Sequence, residues 1–213
     1  MTRRAPPPLV ALTPGDLAAE AVPAFLERAR AAAGAGLAGI LVREPEMGDR
    51  ALLALARAVR GLLPPGGWLG LHDRVHLAGE AGADAVHLGF RSLAPSEARP
   101  LLAEGIAVGL SAHAGDDPAA WSAADYLFFG PVLATPSKRG LLEPVGFEGL
   151  ARAAAASPCP VWAIGGLRPE HAAGCLAAGA AGLAVLAGIL RAPDRIAAAA
   201  ACAEYARAIA VRG

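Results

Sequence analysis

Three short polar clusters close apolar runs and hold groups that move protons or grip anions: Arg43-Glu44 with Glu46, His72-Asp73-Arg74, and Ser111-Ala112-His113. An imidazole titrates near neutrality, so His72 and His113 are candidate general acids or bases. Glu44 is a further candidate for that work. Arg43 needs an anion, because an unpaired cation at the end of a covered strand is costly. A ligand, Glu44 or Glu46 can supply it. Asp73 is a candidate metal ligand, although one carboxylate rarely holds Mg²⁺ without substrate phosphates. His87 lies within an apolar run and reads as a core histidine, His76 as structural and His171 as a surface side chain on a helix.

These clusters need elements to hold them. Eight apolar runs read as strands: Leu9–Leu12, Gly39–Arg43, Trp68–His72, Ala85–Leu88, Ala107–Ser111, Tyr126–Gly130, Val161–Ile164 and Gly182–Leu186. They are continuous rather than alternating, as strands covered on both faces require. Helical stretches lie between them, at Pro23–Ala33, Asp49–Leu62, Ser96–Ala103, Phe147–Ala156, Pro169–Ala178 and Asp194–Ala210. Eight βα units in a chain of 213 residues predict one α/β domain over residues 1–213, a (β/α)₈ TIM barrel, with residues 1–8 as a flexible lead. An open doubly wound sheet is the alternative, but no GxGxxG follows the first strand.

In a barrel, chemistry gathers where strands end, and the loops after strands seven and eight commonly bind phosphate through backbone N–H groups. Gly165-Gly166 and Ala187-Gly188 stand there and predict a phosphate cup. The hydroxylic and basic loop Thr135-Pro136-Ser137-Lys138-Arg139 adds donors for an anionic ligand, and Ser111 adds a hydroxyl.

Composition narrows the class further. Lys plus Arg balance Asp plus Glu at 19 each, so no basic excess exists to match nucleic acid or an anionic membrane. Cys159, Cys175 and Cys202 are widely spaced and odd in number, which suggests neither disulfides nor zinc but a reducing, cytoplasmic setting. The uncharged stretch Ala172–Leu190 approaches the length of a membrane span. Its glycines instead predict a helix, a turn and a buried strand. The first eight residues lack the apolar region of a signal peptide. Apolar helix surface near Ala172–Ala178 and Ala197–Cys202 is compatible with a homo-oligomer or with inner packing alone.

The ordered segments Leu71-His-Asp-Arg-Val75, Gly82-Ala-Asp-Ala-Val-His-Leu-Gly89, Gly109-Leu-Ser-Ala-His113, Gly130-Pro-Val-Leu-Ala-Thr-Pro-Ser-Lys138, Ala163-Ile-Gly-Gly-Leu167 and Gly182-Leu-Ala-Val-Leu-Ala-Gly-Ile189 resemble the thiamine phosphate synthase/TenI family. The resemblance spans nearly the whole barrel and implies thiamine biosynthesis with a thiazole phosphate as small-molecule ligand. Synthases of the family join hydroxymethylpyrimidine diphosphate to thiazole phosphate with Mg²⁺. Their pattern has Gln and Lys where this chain has Leu41 and Pro45, Asn at His72, and a second Mg-binding Asp at Ser92. Arg43, Asp73, Ser111, Thr135 and Lys138 keep to it. These departures fall on the pyrimidine-diphosphate half and favour a TenI-like thiazole tautomerase, an isomerase with no cofactor. The tautomerase pattern places a histidine after the strand-six glycine, where this chain has Pro131, so the proton must move through another residue: His72 first, then His113 or Glu44. The alternatives are the synthase itself, with Mg²⁺ at Asp73, a non-catalytic regulatory binding protein, and an unrelated phosphate-binding barrel enzyme.

Overall fold

The computed structural model describes residues 3–89, 92–135 and 143–210. Among these are strands β1 (Leu9–Leu12), β2 (Gly39–Val42), β3 (Trp68–His72), β4 (Ala85–Leu88), β5 (Ala107–Ala112), β6 (Tyr126–Phe129), β7 (Val161–Ile164) and β8 (Gly182–Val185). They pair in parallel in chain order, and β8 closes onto β1. This is the (β/α)₈ barrel. The helices are α1 (Val22–Gly34), α2 (Asp49–Leu62), α3 (Ala78–Ala81), α4 (Pro95–Ala98), α5 (Gly146–Ala156), α6 (Ala172–Ala177) and α7 (Arg195–Ala210). Between β5 and β6 stands only a 3₁₀ turn, Pro118–Trp121.

Two expected helices are shorter than their sequence pattern. The stretch Ser96–Ala103 becomes α4 and a 3₁₀ turn at Arg99–Leu101, because Pro100 has no N–H with which to continue an α ladder. The stretch Pro169–Ala178 likewise splits into a 3₁₀ turn, Pro169–His171, and α6. The uncharged stretch Ala172–Leu190 holds α6, a turn and β8. No helix among the described residues is long and apolar enough to cross a membrane.

Strand side chains point alternately into the barrel and out to the helices. The barrel interior holds Val10, Leu12, Leu41, Trp68, Ala85, Ala107, Tyr126, Phe128, Trp162 and Ala184. The large aromatics fit because glycines on the same or the neighbouring strand leave them room. A Cβ on Gly109 would come within 2.1 Å of the Tyr126 ring, and one on Gly70 within 2.5 Å of Trp68.

Residues 3–8, read as a flexible lead, form a strap across the foot of the barrel. Buried indole N–H groups need acceptors. Trp162 Nε1 donates to Pro7 O at 2.8 Å, and Trp68 Nε1 to Arg4 O at 3.3 Å. Leu183 N donates to Pro8 O at 2.8 Å, while Arg3 and Arg4 pair with Asp125 and Asp84. The three cysteines are unbonded thiols, and burial pushes Cys175 and Cys202 up to about 11.

Candidate active site

The same alternation that places Trp68, Ala85 and Ala107 inside carries His72, His87 and Ser111 to the inner face nearer the C-terminal mouth. His72 is in register with His87 across β3 and β4. Its side chain is 15% exposed, with Nδ1 3.1 Å from Asp73 Oδ2. Nε2 has no hydrogen-bond partner among the described residues. It lies beside Gly89, where an added Cβ would be 3.3 Å away.

Asp73 reaches back to its neighbour because its own backbone turns over. Its φ is 61°, in the left-handed region that a short polar side chain tolerates better than most. Arg74 N then donates to His72 O at 2.8 Å. Asp73 Oδ1 accepts from Gly89 N at 3.0 Å and from the Ser92 hydroxyl, and Oδ2 from His72. Burial alone would raise this carboxyl. The hydrogen bond and charge of His72, with the donations from Ser92 and Gly89, outweigh it and hold the group well below the usual carboxylate range.

This donor set does not fit a diphosphate-bound Mg²⁺. Both Asp73 oxygens are engaged, and the position for a second carboxylate is a serine whose hydroxyl donates to the first. No group of three or more His, Cys, Asp or Glu among the described residues is arranged to hold a metal.

Arg43 and Glu44 part company at the end of β2. Glu44 is buried on the outer side, and its carboxylate accepts from Gly15 N and Leu17 N, both at 2.8 Å. It braces the loop after β1, which is a different task from the acid or base work its chemistry allows. Thr13, also buried, accepts from Arg43 N at 2.8 Å. The Arg43 guanidinium lies over Gly15, where a Cβ would meet Nη1 at 2.9 Å. Among the described residues it has no carboxylate within 4.0 Å, so neither Glu44 nor Glu46 supplies its anion.

His113 lies beyond the end of β5. Its N–H donates to Asp116 Oδ2 at 2.7 Å, and its ring Nδ1 is 3.9 Å from the same oxygen. Backbone and ring of His113 are thus both directed to Asp116, on its own loop. His171 and His76 make contacts away from the mouth. His171 Nδ1 accepts from Arg168 N at 3.0 Å, and His76 Nε2 is 2.8 Å from Asp49.

Across the mouth, Gly165 and Gly166 take φ of 100° and 67°. They also let the segment after β6 approach, since added Cβ atoms would sit 2.7 Å from Pro131 and 2.5 Å from Ala134 O. Leu133 N donates to Gly165 O at 3.0 Å, which fixes where Thr135 leaves the barrel. Ala187 and Gly188 are exposed after β8. None of the loop hydrogen bonds among the described residues uses the N–H of Gly166, Ala187 or Gly188. Tyr205 of α7 packs under this rim, with its hydroxyl donating to Leu167 O at 2.8 Å in space that a Cβ on Gly188 would fill. Thr135 is half-buried beside the rim. Ser137 and Lys138 lie outside the described residues.

A family model described as thiamine monophosphate synthase matches residues 9–189. The chain belongs to the thiamine monophosphate synthase/TenI family. A thiamine-phosphate synthase of Moorella thermoacetica is 39% identical over 177 residues, covering 82% of this chain and 84% of that protein. One from Azorhizobium caulinodans is 38% identical over 173 residues, covering 80% and 82%. The solved thiamine phosphate pyrophosphorylase of Pyrococcus furiosus superposes with a TM-score of 0.80 at 25% identity, over 94% of both chains. Of the residues expected at the site, the structure brings His72, Arg43 and Ser111 to the C-terminal mouth. Thr13, Tyr126 and the bracing role of Glu44 stand beside them without having been expected, although strand alternation signals the last: Arg43 follows Leu41 inward, so Glu44 turns out.

Proposed function

We propose that the chain binds a carboxythiazole phosphate in thiamine biosynthesis and catalyses its tautomerisation to the aromatic ring. The observation that carries this reading is the His72–Asp73 pair. A carboxylate holds the Nδ1–H of the imidazole and leaves Nε2 unengaged at the mouth. That is the arrangement a general base needs, because the carboxylate selects the tautomer and stabilises the imidazolium that forms. Nε2 removes a proton from one position of the ligand and returns it at another. No proton is gained or lost overall, and no cofactor is required.

The ligand carries two anionic groups, and the mouth offers two places for anions. The N–H groups of Gly166, Ala187 and Gly188, which no backbone carbonyl among the described residues uses, suit the phosphate. Arg43, with no carboxylate within 4.0 Å among the described residues, and Ser111 suit the carboxylate.

The names of the relatives favour a second reading, condensation of hydroxymethylpyrimidine diphosphate with thiazole phosphate, over about four-fifths of the chain. Against it stands the donor set around Asp73. One experiment separates the two. The purified chain is given carboxythiazole phosphate alone and followed by ultraviolet absorbance, and in parallel is given pyrimidine diphosphate, thiazole phosphate and Mg²⁺. Spectral conversion in the first assay and none in the second supports tautomerisation. Thiamine phosphate formation in the second overturns it. Tight binding with neither reaction identifies a regulatory binding protein.

A further inference from the structure

His87 is completely enclosed beneath His72, with its ring 4.3 Å from the Phe128 ring and 5.6 Å from the Tyr126 ring. The proton transfer assigned to His72 makes no use of it. Its two nitrogens are both engaged: Nδ1 is 3.4 Å from the Tyr126 hydroxyl, and Nε2 is 3.0 Å from Ser111 Oγ.

The direction of these two bonds follows from what surrounds them. The Tyr126 hydroxyl sits in the apolar barrel interior, and His87 Nδ1 is its sole hydrogen-bond partner among the described residues. Burial, with the charge of Asp125, pushes the phenol well above its ordinary value, so it keeps its proton. A buried O–H must donate. With Nδ1 accepting from it, the imidazole can be neither the Nδ1–H tautomer nor an imidazolium. Burial, the charge of Arg43 and any charge that His72 takes up disfavour the imidazolium independently, and the opposing pull of Asp73 does not reverse this. His87 therefore carries its proton on Nε2 and donates it to Ser111 Oγ. Ser111 accepts, and His87 is its sole partner among the described residues, so its own proton is left to be given at the mouth.

We infer that Tyr126 and His87 are positioning residues, a buried relay that fixes the Ser111 hydroxyl as a hydrogen-bond donor and thereby selects ligands that present an acceptor oxygen on the β5 side of the mouth. The assignment of that oxygen to the ligand's carboxylate rests on the proposed function. The polarity of the relay does not.

The test has two arms. Long-range ¹H–¹⁵N spectra of the unliganded wild-type chain, with the His87 signals assigned from His87→Gln, should show a pyrrole-like Nε2 and a pyridine-like Nδ1. An Nδ1–H tautomer or an imidazolium overturns the relay. In the second arm, binding of the aromatic carboxythiazole phosphate is measured by calorimetry. Ser111→Ala and His87→Leu should each weaken it roughly tenfold, and the double variant no further. His87→Gln, whose amide both donates and accepts, should restore binding to within about threefold of wild type. Equal binding by Ser111→Ala and wild type overturns the donor role of Ser111. Failure of the wild type itself to bind this ligand counts against the proposed function, while the spectra still decide the relay.

Discussion

The carboxylate of Asp73 receives Nδ1 of His72 at 3.1 Å, although the two residues are neighbours in the chain. A fully extended backbone would send successive side chains to opposite faces of the strand. The left-handed φ of 61° at Asp73 ends β3 abruptly and folds the carboxylate back beside the imidazole. Gly89 N and Ser92 then anchor it from the neighbouring strand end. The left-handed backbone at this strand end is thus supported from several sides.

Asp73→Asn tests the orienting role. The amide offers His72 an N–H or a weaker acceptor and no longer selects the tautomer with a free Nε2. We expect kcat for tautomerisation to fall by about 10²- to 10⁴-fold with KM changed little. Steady-state kinetics on carboxythiazole phosphate provide the check, and a rise in KM at constant kcat would make Asp73 a binding residue instead.

The same carboxylate makes stability depend on pH. Its pKa in the fold lies below the ordinary value of 3.8, so it contributes stability above that value and loses the contribution as pH falls through the folded value. Wild type should exceed Asp73→Asn in urea midpoint at pH 7, and the gap should close progressively below about pH 3.8. A gap that is constant with pH would mean that the ionised form is not what the fold favours.

Arg43→Met should raise KM roughly ten- to hundredfold, the loss of one charge-assisted contact to an anion. The effect on kcat should be smaller. The wild-type KM should also rise with salt more steeply than that of the variant. Equal salt dependence in the two proteins would place the ligand's charge elsewhere.

Glu44→Gln should act on stability. The carboxylate accepts from two backbone N–H groups, and the amide can serve only one well. We expect a loss of about 1–3 kcal/mol in urea unfolding, with turnover of the folded enzyme preserved. Lost turnover at unchanged stability would return Glu44 to acid or base work.

Deleting residues 2–7 removes the acceptors of Trp68 and Trp162 from the foot of the barrel. The melting temperature should fall and tryptophan emission should shift to the red. An unchanged melting temperature would show that the strap adds nothing to the barrel.

Much of this architecture was legible in the sequence because a strand covered on both faces is written as an unbroken apolar run. β1, β3, β4 and β7 have the boundaries their residues predict. The helix after β4 was not, since Pro100 divides a pattern that reads as continuous. At the site, His72 was legible from its place at a strand end. Its link to Asp73 was not, because that link depends on one left-handed residue that composition does not reveal. Arg43 and Glu44 look like partners in sequence and face opposite sides of the sheet in space. Residues 1–8 read as a flexible lead because the bonds of the strap join its own backbone carbonyls to distant indoles, which no local pattern records.

The most direct measurement follows carboxythiazole phosphate by ultraviolet absorbance in EDTA, with wild type and His72→Gln side by side and ligand affinity measured for both. Conversion by wild type, loss of conversion in the variant by at least about a hundredfold, and affinities within a few-fold of each other are the predicted result. Equal turnover by the two proteins, or turnover that EDTA abolishes, would contradict it.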